Sequence, residues 1–296
     1  MMKEVIKSDE TMLEKVAKYT IDAGGKRLRP TIAIAAFRAV NGKNIKKILP
    51  IATAIELIHT ATLIHDDIND SSFLRRGRKT AYRKFGLPVA IVSGDALFAK
   101  AFGLCSGYEK EIIDIAAKAC TELAEGEIMQ LTTTVENISE ERYFEIIRKK
   151  TGSLMSAGTK IASILAGAEK KVVNCLGDYG LNLGIAFQIA DDILDIVGGK
   201  IIGKNIGKDI ENGKITLPTI YALAKAKERE RLKLLIIERK AREVLEIVRK
   251  SGGLDYAKEK AKFYSKNAKN ALSELPETKH KKELIKIADY VVERRE

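Results

Sequence analysis

Six aspartates fall into two clusters with the same internal spacing. Asp66, Asp67 and Asp70 lie in LIHDDINDSS, and Asp191, Asp192 and Asp195 lie in FQIADDILDIVGG. In each cluster the outer aspartates are four residues apart, so on a helix they stand one above the other on one face. Like charges stacked in that way repel, and a divalent cation between them would relieve the repulsion. Carboxylate oxygens are hard ligands that suit magnesium, which keeps several waters and is commonly shared with substrate phosphates. One chance DDxxD match has a probability of roughly a few per cent, and two together far less.

A site for a metal and a diphosphate also needs protein cations, and they follow each cluster. Arg75 and Arg76 follow the first by five and six residues; Lys204, Lys208 and Lys214 come after the second. A third group, Lys26, Arg27 and Arg29, sits in GGKRLRP just before a helix that begins near Pro30. Arginine forks match diphosphate oxygens, whereas lysine acts as a point charge. His59 lies seven residues before Asp66, on nearly the same helical face, which points to a substrate contact rather than a core histidine. His65 points elsewhere, and His280 sits in a lysine-rich surface stretch. Gln188 shares a face with Asp191 and Asp192. Lys150 and Thr151 form a polar interruption, RKKTGSL, between two apolar helices, where they could present a cation and a hydroxyl to a phosphate.

The elements that position these groups read as helices throughout. Apolar residues recur at helical spacing, and no run shows the strict alternation of a strand. The fold class is all-α. Two stretches, 52–63 and 180–196, are apolar almost all round and belong in the centre of a large helical protein. Each ends in an aspartate cluster, which a buried helix should not do without counter-charge. The clearest loops are 41–50, 71–80 and 198–216. No linker or repeat divides the chain, so residues 1–296 are expected to form a single domain.

Composition limits the function classes. Hydrophobic residues make up 45% of the chain, enough for a sizeable core. The net charge of +12 could serve nucleic acid, an acidic membrane or an anionic substrate. Much of the excess lies in mixed-sign helical stretches, and no nucleic-acid motif is present. Cys105, Cys120 and Cys175 are dispersed, which argues for reduced thiols and a cytoplasmic setting. The N-terminus lacks an apolar signal core, and no uninterrupted apolar run approaches the ~20 residues of a membrane span.

In order and spacing these pieces resemble the trans-type polyprenyl diphosphate synthases. The resemblance is carried by GGKRLRP, His59 in IELIHTATLIHDD, DDIND, RRGRKT, SGDALFAKAF, KKTGSL, GIAFQIADD, DDILD and GKNIGKDIENGKITLP, with a similar ADYVVERRE tail. It implies a bundle of long antiparallel helices around a deep central cavity, built as a homodimer. By position, Lys26, Arg29, His59 and Arg76 would bind isopentenyl diphosphate. Arg75, Lys150, Thr151, Gln188, Lys204 and Lys214 would contact an allylic prenyl diphosphate. Asp66, Asp70 and Asp191 would hold three magnesium ions, with Asp67, Asp192 and Asp195 ligating or supporting. The implied catalytic set is Asp66, Asp67, Asp70, Asp191, Asp192, Lys150 and Lys204. A terpene cyclase shares the ionisation chemistry, but the second DDxxD and GGKRLRP favour chain elongation.

The resemblance also locates the floor that limits product length. Short-chain members commonly carry a bulky aromatic four or five residues before the first cluster. Here those positions hold Ala61 and Thr62, with Leu57 and Ile58 a turn further down. The expectation is a product of C20 or longer, with Met129 or Leu131 as bulky residues that could close the floor from another helix. No nucleic acid and no transmembrane segment are expected, while transient membrane contact would suit release of a long product.

Overall fold

The computed structural model describes residues 1–198, 206–225 and 228–294. Its helices, in chain order, are α1 Met2–Val5, α2 Thr11–Ile21, α3 Leu28–Ala39, α4 Leu49–Asn69, α5 Ala81–Phe85, α6 Leu87–Cys105, α7 Lys110–Leu131 and α8 Glu140–Ile147. A single π turn, Arg148–Gly152, leads into α9 Ser153–Leu165, then α10 Lys170–Val197, α11 Lys208–Glu211, α12 Leu217–Lys225, α13 Arg229–Ile237, α14 Ala241–Ser251, α15 Gly253–Ala271 and α16 Lys279–Glu293. The architecture is all-α, as the helical periodicity requires.

Among the described residues the one departure is a short hairpin within the 71–80 loop. Strand β1 (Leu74–Arg75) pairs antiparallel with β2 (Arg78–Lys79), Leu74 opposite Lys79 and Arg75 opposite Arg78. Arg76 and Gly77 between them have φ of 52° and 75°. Positive φ at both central residues is the requirement of a type I′ turn. Two-residue strands are too short to show alternation, so periodicity could not reveal them.

The chain forms two compact units: residues 1–117 with 158–169, and residues 118–157 with 170–294 of the described chain. In the first, α4 starts at a proline in its first turn, which costs no intrahelical hydrogen bond. Its twenty-one residues pack most extensively against α6. Ile51, Ile55, Leu57, Ile58, Ala61 and Ile64 are buried. In the second, α10 packs chiefly against α15, and Leu176, Tyr179, Leu183 and Ile189 are fully enclosed. Both stretches read as apolar all round are thus interior helices. By length and composition α4 and α6 could each cross a membrane. Their Glu, His, Asp and Lys residues interrupt the apolar runs. Two-thirds of the span-like stretch at α4 is buried within the protein, against 28% of that at α6.

One charge inside α4 shows how the first unit holds its entry loop. Glu56 is 4% exposed, and the guanidinium of Arg27 pairs with it while also donating to the Ile21 carbonyl at 2.6 Å. Arg27 adopts a left-handed conformation (φ 48°) at the N-cap of α3, and its side chain ties the GGKRLRP loop to α4. Replacing Arg27 with leucine should destabilise the protein by about 3 kcal/mol, because an uncompensated carboxylate stays buried. The double variant Arg27→Leu with Glu56→Gln should recover part of that loss, measured by thermal denaturation.

Candidate active site

The first unit gathers cations around one histidine. Arg29 stands at the start of α3 and places Nη1 3.2 Å from Nε2 of His59 on α4. Burial, then the charges of Arg29, Arg75, Arg76 and Arg27, push the His59 pKa well below its ordinary value. The imidazole is therefore neutral at pH 7, and its Nε2 accepts from Arg29. Arg76, in the hairpin turn, donates through Nη1 to the Gly24 carbonyl, which brings it to the GGKRLRP loop. Burial, Arg75 and Arg27 lower its own pKa. Four guanidinium groups that oppose the charging of one imidazole define a place suited to an anion. Arg27 is committed to a buried carboxylate, Glu56. Lys26 lies on the exposed side of the same loop.

The first aspartate cluster divides by burial. Asp67 is 3% exposed and accepts from Arg75 Nε at 2.8 Å, so Arg75 is engaged with the cluster itself. Asp66 and Asp70 are partly exposed on one face, Asp70 serving as the C-cap of α4. Thr62 lies one turn below Asp66 on that face and is also partly exposed, whereas Ala61, Leu57 and Ile58 are buried. Thr62 Oγ1 donates to the His59 carbonyl at 2.8 Å.

The second cluster divides in the same way. Asp192 is buried, accepting from Tyr143 Oη at 2.5 Å and Gln188 Nε2 at 3.0 Å. Burial, aided by the charge of Asp209, holds its pKa well above the carboxylate range. Burial likewise raises that of Tyr143, which stays protonated as a donor. Asp195 accepts from the backbone amides of Lys208 and Asp209, each at 3.1 Å, and so fixes the start of α11. Burial raises the Asp195 pKa, and the charge of Lys214 works in the opposite direction. Asp191 is partly exposed and accepts from Arg294 Nη2 at 2.7 Å. Lys204 lies outside the described residues.

Lys150 and Thr151 are set by backbone contacts. The π turn that carries them inserts an extra residue into the helix, a distortion frequent at functional sites. Gly126 of α7 and Gly184 of α10 let it be approached closely. A Cβ on Gly126 would fall 2.5 Å from Lys150 N, and one on Gly184 would fall 2.7 Å from Gly152 Cα. That proximity lets Thr151 Oγ1 donate to Gln188 Oε1 at 2.9 Å. Lys150 Nζ pairs with Glu127 and donates to Gln130 Oε1 at 2.7 Å.

The structure thus joins Thr151, Gln188 and Asp192 in one chain of hydrogen bonds, and Arg29 with His59 in another. It adds Tyr143, Glu127, Gln130 and Arg294, which sequence reasoning missed. Tyr143 is 49 residues from its partner and carries no motif. Arg294 lies in the ADYVVERRE tail, where only the resemblance drew notice.

The polyprenyl synthetase family matches residues 10–250. The chain is 40% identical to a geranylgeranyl diphosphate synthase of Methanosarcina mazei, over 95% of this chain and 90% of that one. It is 36% identical to the octaprenyl diphosphate synthase of Escherichia coli, covering 98% and 93%. A polyprenyl synthase of Caulobacter crescentus, solved with calcium and isoprenyl diphosphate, superposes with a TM-score of 0.94 at 38% identity, covering 100% and 93%. The chain belongs to the polyprenyl synthetase family. Within it, the chain is a prenyl diphosphate synthase, an enzyme of the trans-prenyltransferase class.

A histidine with a depressed folded pKa stabilises above its unfolded value and loses that contribution as pH falls below it. The unfolded chain takes up a proton at about 6.5 that the folded state refuses. Stability should therefore fall below pH 6.5 by up to about 1.4 kcal/mol per pH unit. His59→Asn should flatten that slope in denaturant titrations between pH 5 and 7.

Proposed function

We propose that this enzyme condenses isopentenyl diphosphate with an allylic prenyl diphosphate to give an all-trans polyprenyl diphosphate of C20 or longer, its two units acting as one catalytic domain. The observation that carries this reading is the guanidinium cluster around neutral His59 in a chain that also bears two DDxxD helix ends. A cyclase has no use for that second anion site.

Arg29, Arg76, His59 and Lys26 bind and orient the diphosphate of isopentenyl diphosphate. Lys150, Thr151, Gln188, Arg75, Lys204 and Lys214 serve the allylic diphosphate. Asp66, Asp70 and Asp191, each partly exposed, would hold magnesium, three ions in all, with Asp67, Asp192 and Asp195 ligating or supporting. The donor set fits: it is all hard oxygen. A cation held by such oxygens would complete its shell with water and substrate phosphate. When bound, magnesium neutralises charge on the departing diphosphate. Calcium in the Caulobacter structure belongs to the same class of hard cation.

The residues of the chain then do the rest. Lys150 and the arginines stabilise charge as the allylic carbon–oxygen bond breaks. The double bond of isopentenyl diphosphate attacks the resulting cation, and the proton lost passes to the released diphosphate. Apolar helix walls exclude water that would quench the cation.

Leu87, Ile91 and Phe102 share one side of α6 and are exposed, with Val92 beside them 63% exposed. We read this apolar face as the surface that a second copy covers in a homodimer. The free cysteines match a reducing, cytoplasmic setting, with transient membrane contact reserved for product release.

Incubation with magnesium, labelled isopentenyl diphosphate and farnesyl diphosphate should yield prenyl diphosphates that, after phosphatase treatment, run as alcohols of C20 or longer on reverse-phase separation, and chelation should abolish them. A cyclic hydrocarbon formed without uptake of label would overturn the assignment. Thr62→Phe, one turn below Asp66, should shorten the product by at least one isoprene unit, and Ala61→Phe should act in the same direction. Unchanged product length in both would remove the floor from α4.

A further inference from the structure

The side chain of Arg294, at the end of α16, turns back onto α10. Only 8% of it is exposed. Its guanidinium lies 4.1 Å over the ring of Phe187. Nη2 donates to the Phe187 carbonyl at 3.0 Å and to Asp191 Oδ1 at 2.7 Å, while Nε is buried with no partner. Removing an arginine from water and leaving one donor unsatisfied is unfavourable. An uncharged residue could cap α16 or cover Phe187 without that penalty. What the charge supplies is neutralisation of Asp191, at the C-terminal half of a helix whose dipole already disfavours a carboxylate.

We propose that Arg294 is a resident counter-ion for Asp191: it holds this carboxylate in the cation-free enzyme and gives way when a divalent cation loads. A guanidinium and a divalent cation call on the same Oδ1 oxygen, and their charges repel. Arg294 is therefore a positioning residue that sets the cation affinity of the second cluster. Loading there is coupled to release of the end of α16. The inference rests on the reading of Asp191 as a cation ligand.

The test uses Mn²⁺ alone as probe, with binding to the full chain followed by electron paramagnetic resonance in the absence of diphosphate. Arg294→Gln removes the charge and should tighten Mn²⁺ binding by about threefold or more, a modest factor because Asp191 is partly solvated. Arg294→Lys should stay near the wild-type affinity. In the unmodified enzyme, Mn²⁺ with inorganic pyrophosphate should speed amide exchange at residues 290–294. Equal or weaker Mn²⁺ binding by Arg294→Gln would overturn the counter-ion role and leave Arg294 a structural residue. Should that variant fail to fold, unchanged exchange at 290–294 in the wild type would overturn it instead. Asp191→Asn separates the two readings. If it leaves Mn²⁺ binding intact, the ligand assignment itself has failed. If it weakens binding while Arg294→Gln has no effect, only the counter-ion has failed.

Discussion

A carboxylate near the C-terminal end of an apolar helix is opposed twice, by the negative pole of the helix dipole and by the loss of water around it. The structure places three carboxylates in that position on α4 and three on α10. Much of the rest of the site follows from the need to accommodate them. In each cluster the carboxylate that faces inward receives a dedicated donor: Arg75 for Asp67, Tyr143 and Gln188 for Asp192. The carboxylates that face outward are kept partly wet. The division of labour inside a DDxxD motif is a division of burial, set by the helical angle between adjacent residues.

The same helical geometry explains how much of the site could be read from the sequence. Spacing alone places Asp66 with Asp70, His59 with the metal face, and Gln188 with Asp192, because each pair lies on one helix. Contacts between elements were not legible. Nothing in RYFEII indicates that Tyr143 reaches Asp192, and nothing in AEGEIMQ indicates that Glu127 and Gln130 receive Lys150. The sequence also grouped Lys26, Arg27 and Arg29 as equals. Folding separates them, since Glu56 is buried on α4 and Arg27 is the one of the three that pairs with it among the described residues. The all-α class was legible because apolar periodicity persists over long windows. The hairpin at Leu74–Lys79 was not, because it is shorter than any period.

Backbone proximity does work at this site that side chains could not. Gly126 and Gly184 have no Cβ where one would collide with the π turn at Lys150–Gly152. The location of Lys150 and Thr151 is thereby fixed by main-chain contact, which is stiffer than contact through flexible side chains. Stiffness of this kind suits a residue that must hold charge in place through bond cleavage.

The hairpin assigns neighbouring arginines to different tasks. Arg75 ends β1 and reaches Asp67; Arg76 occupies the turn and reaches the Gly24 carbonyl. Adjacent positions around a tight turn cannot exchange directions, so the arrangement behaves like a two-tooth gear whose phase is locked by Gly77. An insertion of one residue between Phe73 and Arg75 would advance that gear by one tooth and offer Arg76 to neither of its present partners. The length of this loop therefore matters as much as its arginines, because both contacts depend on the register of the turn.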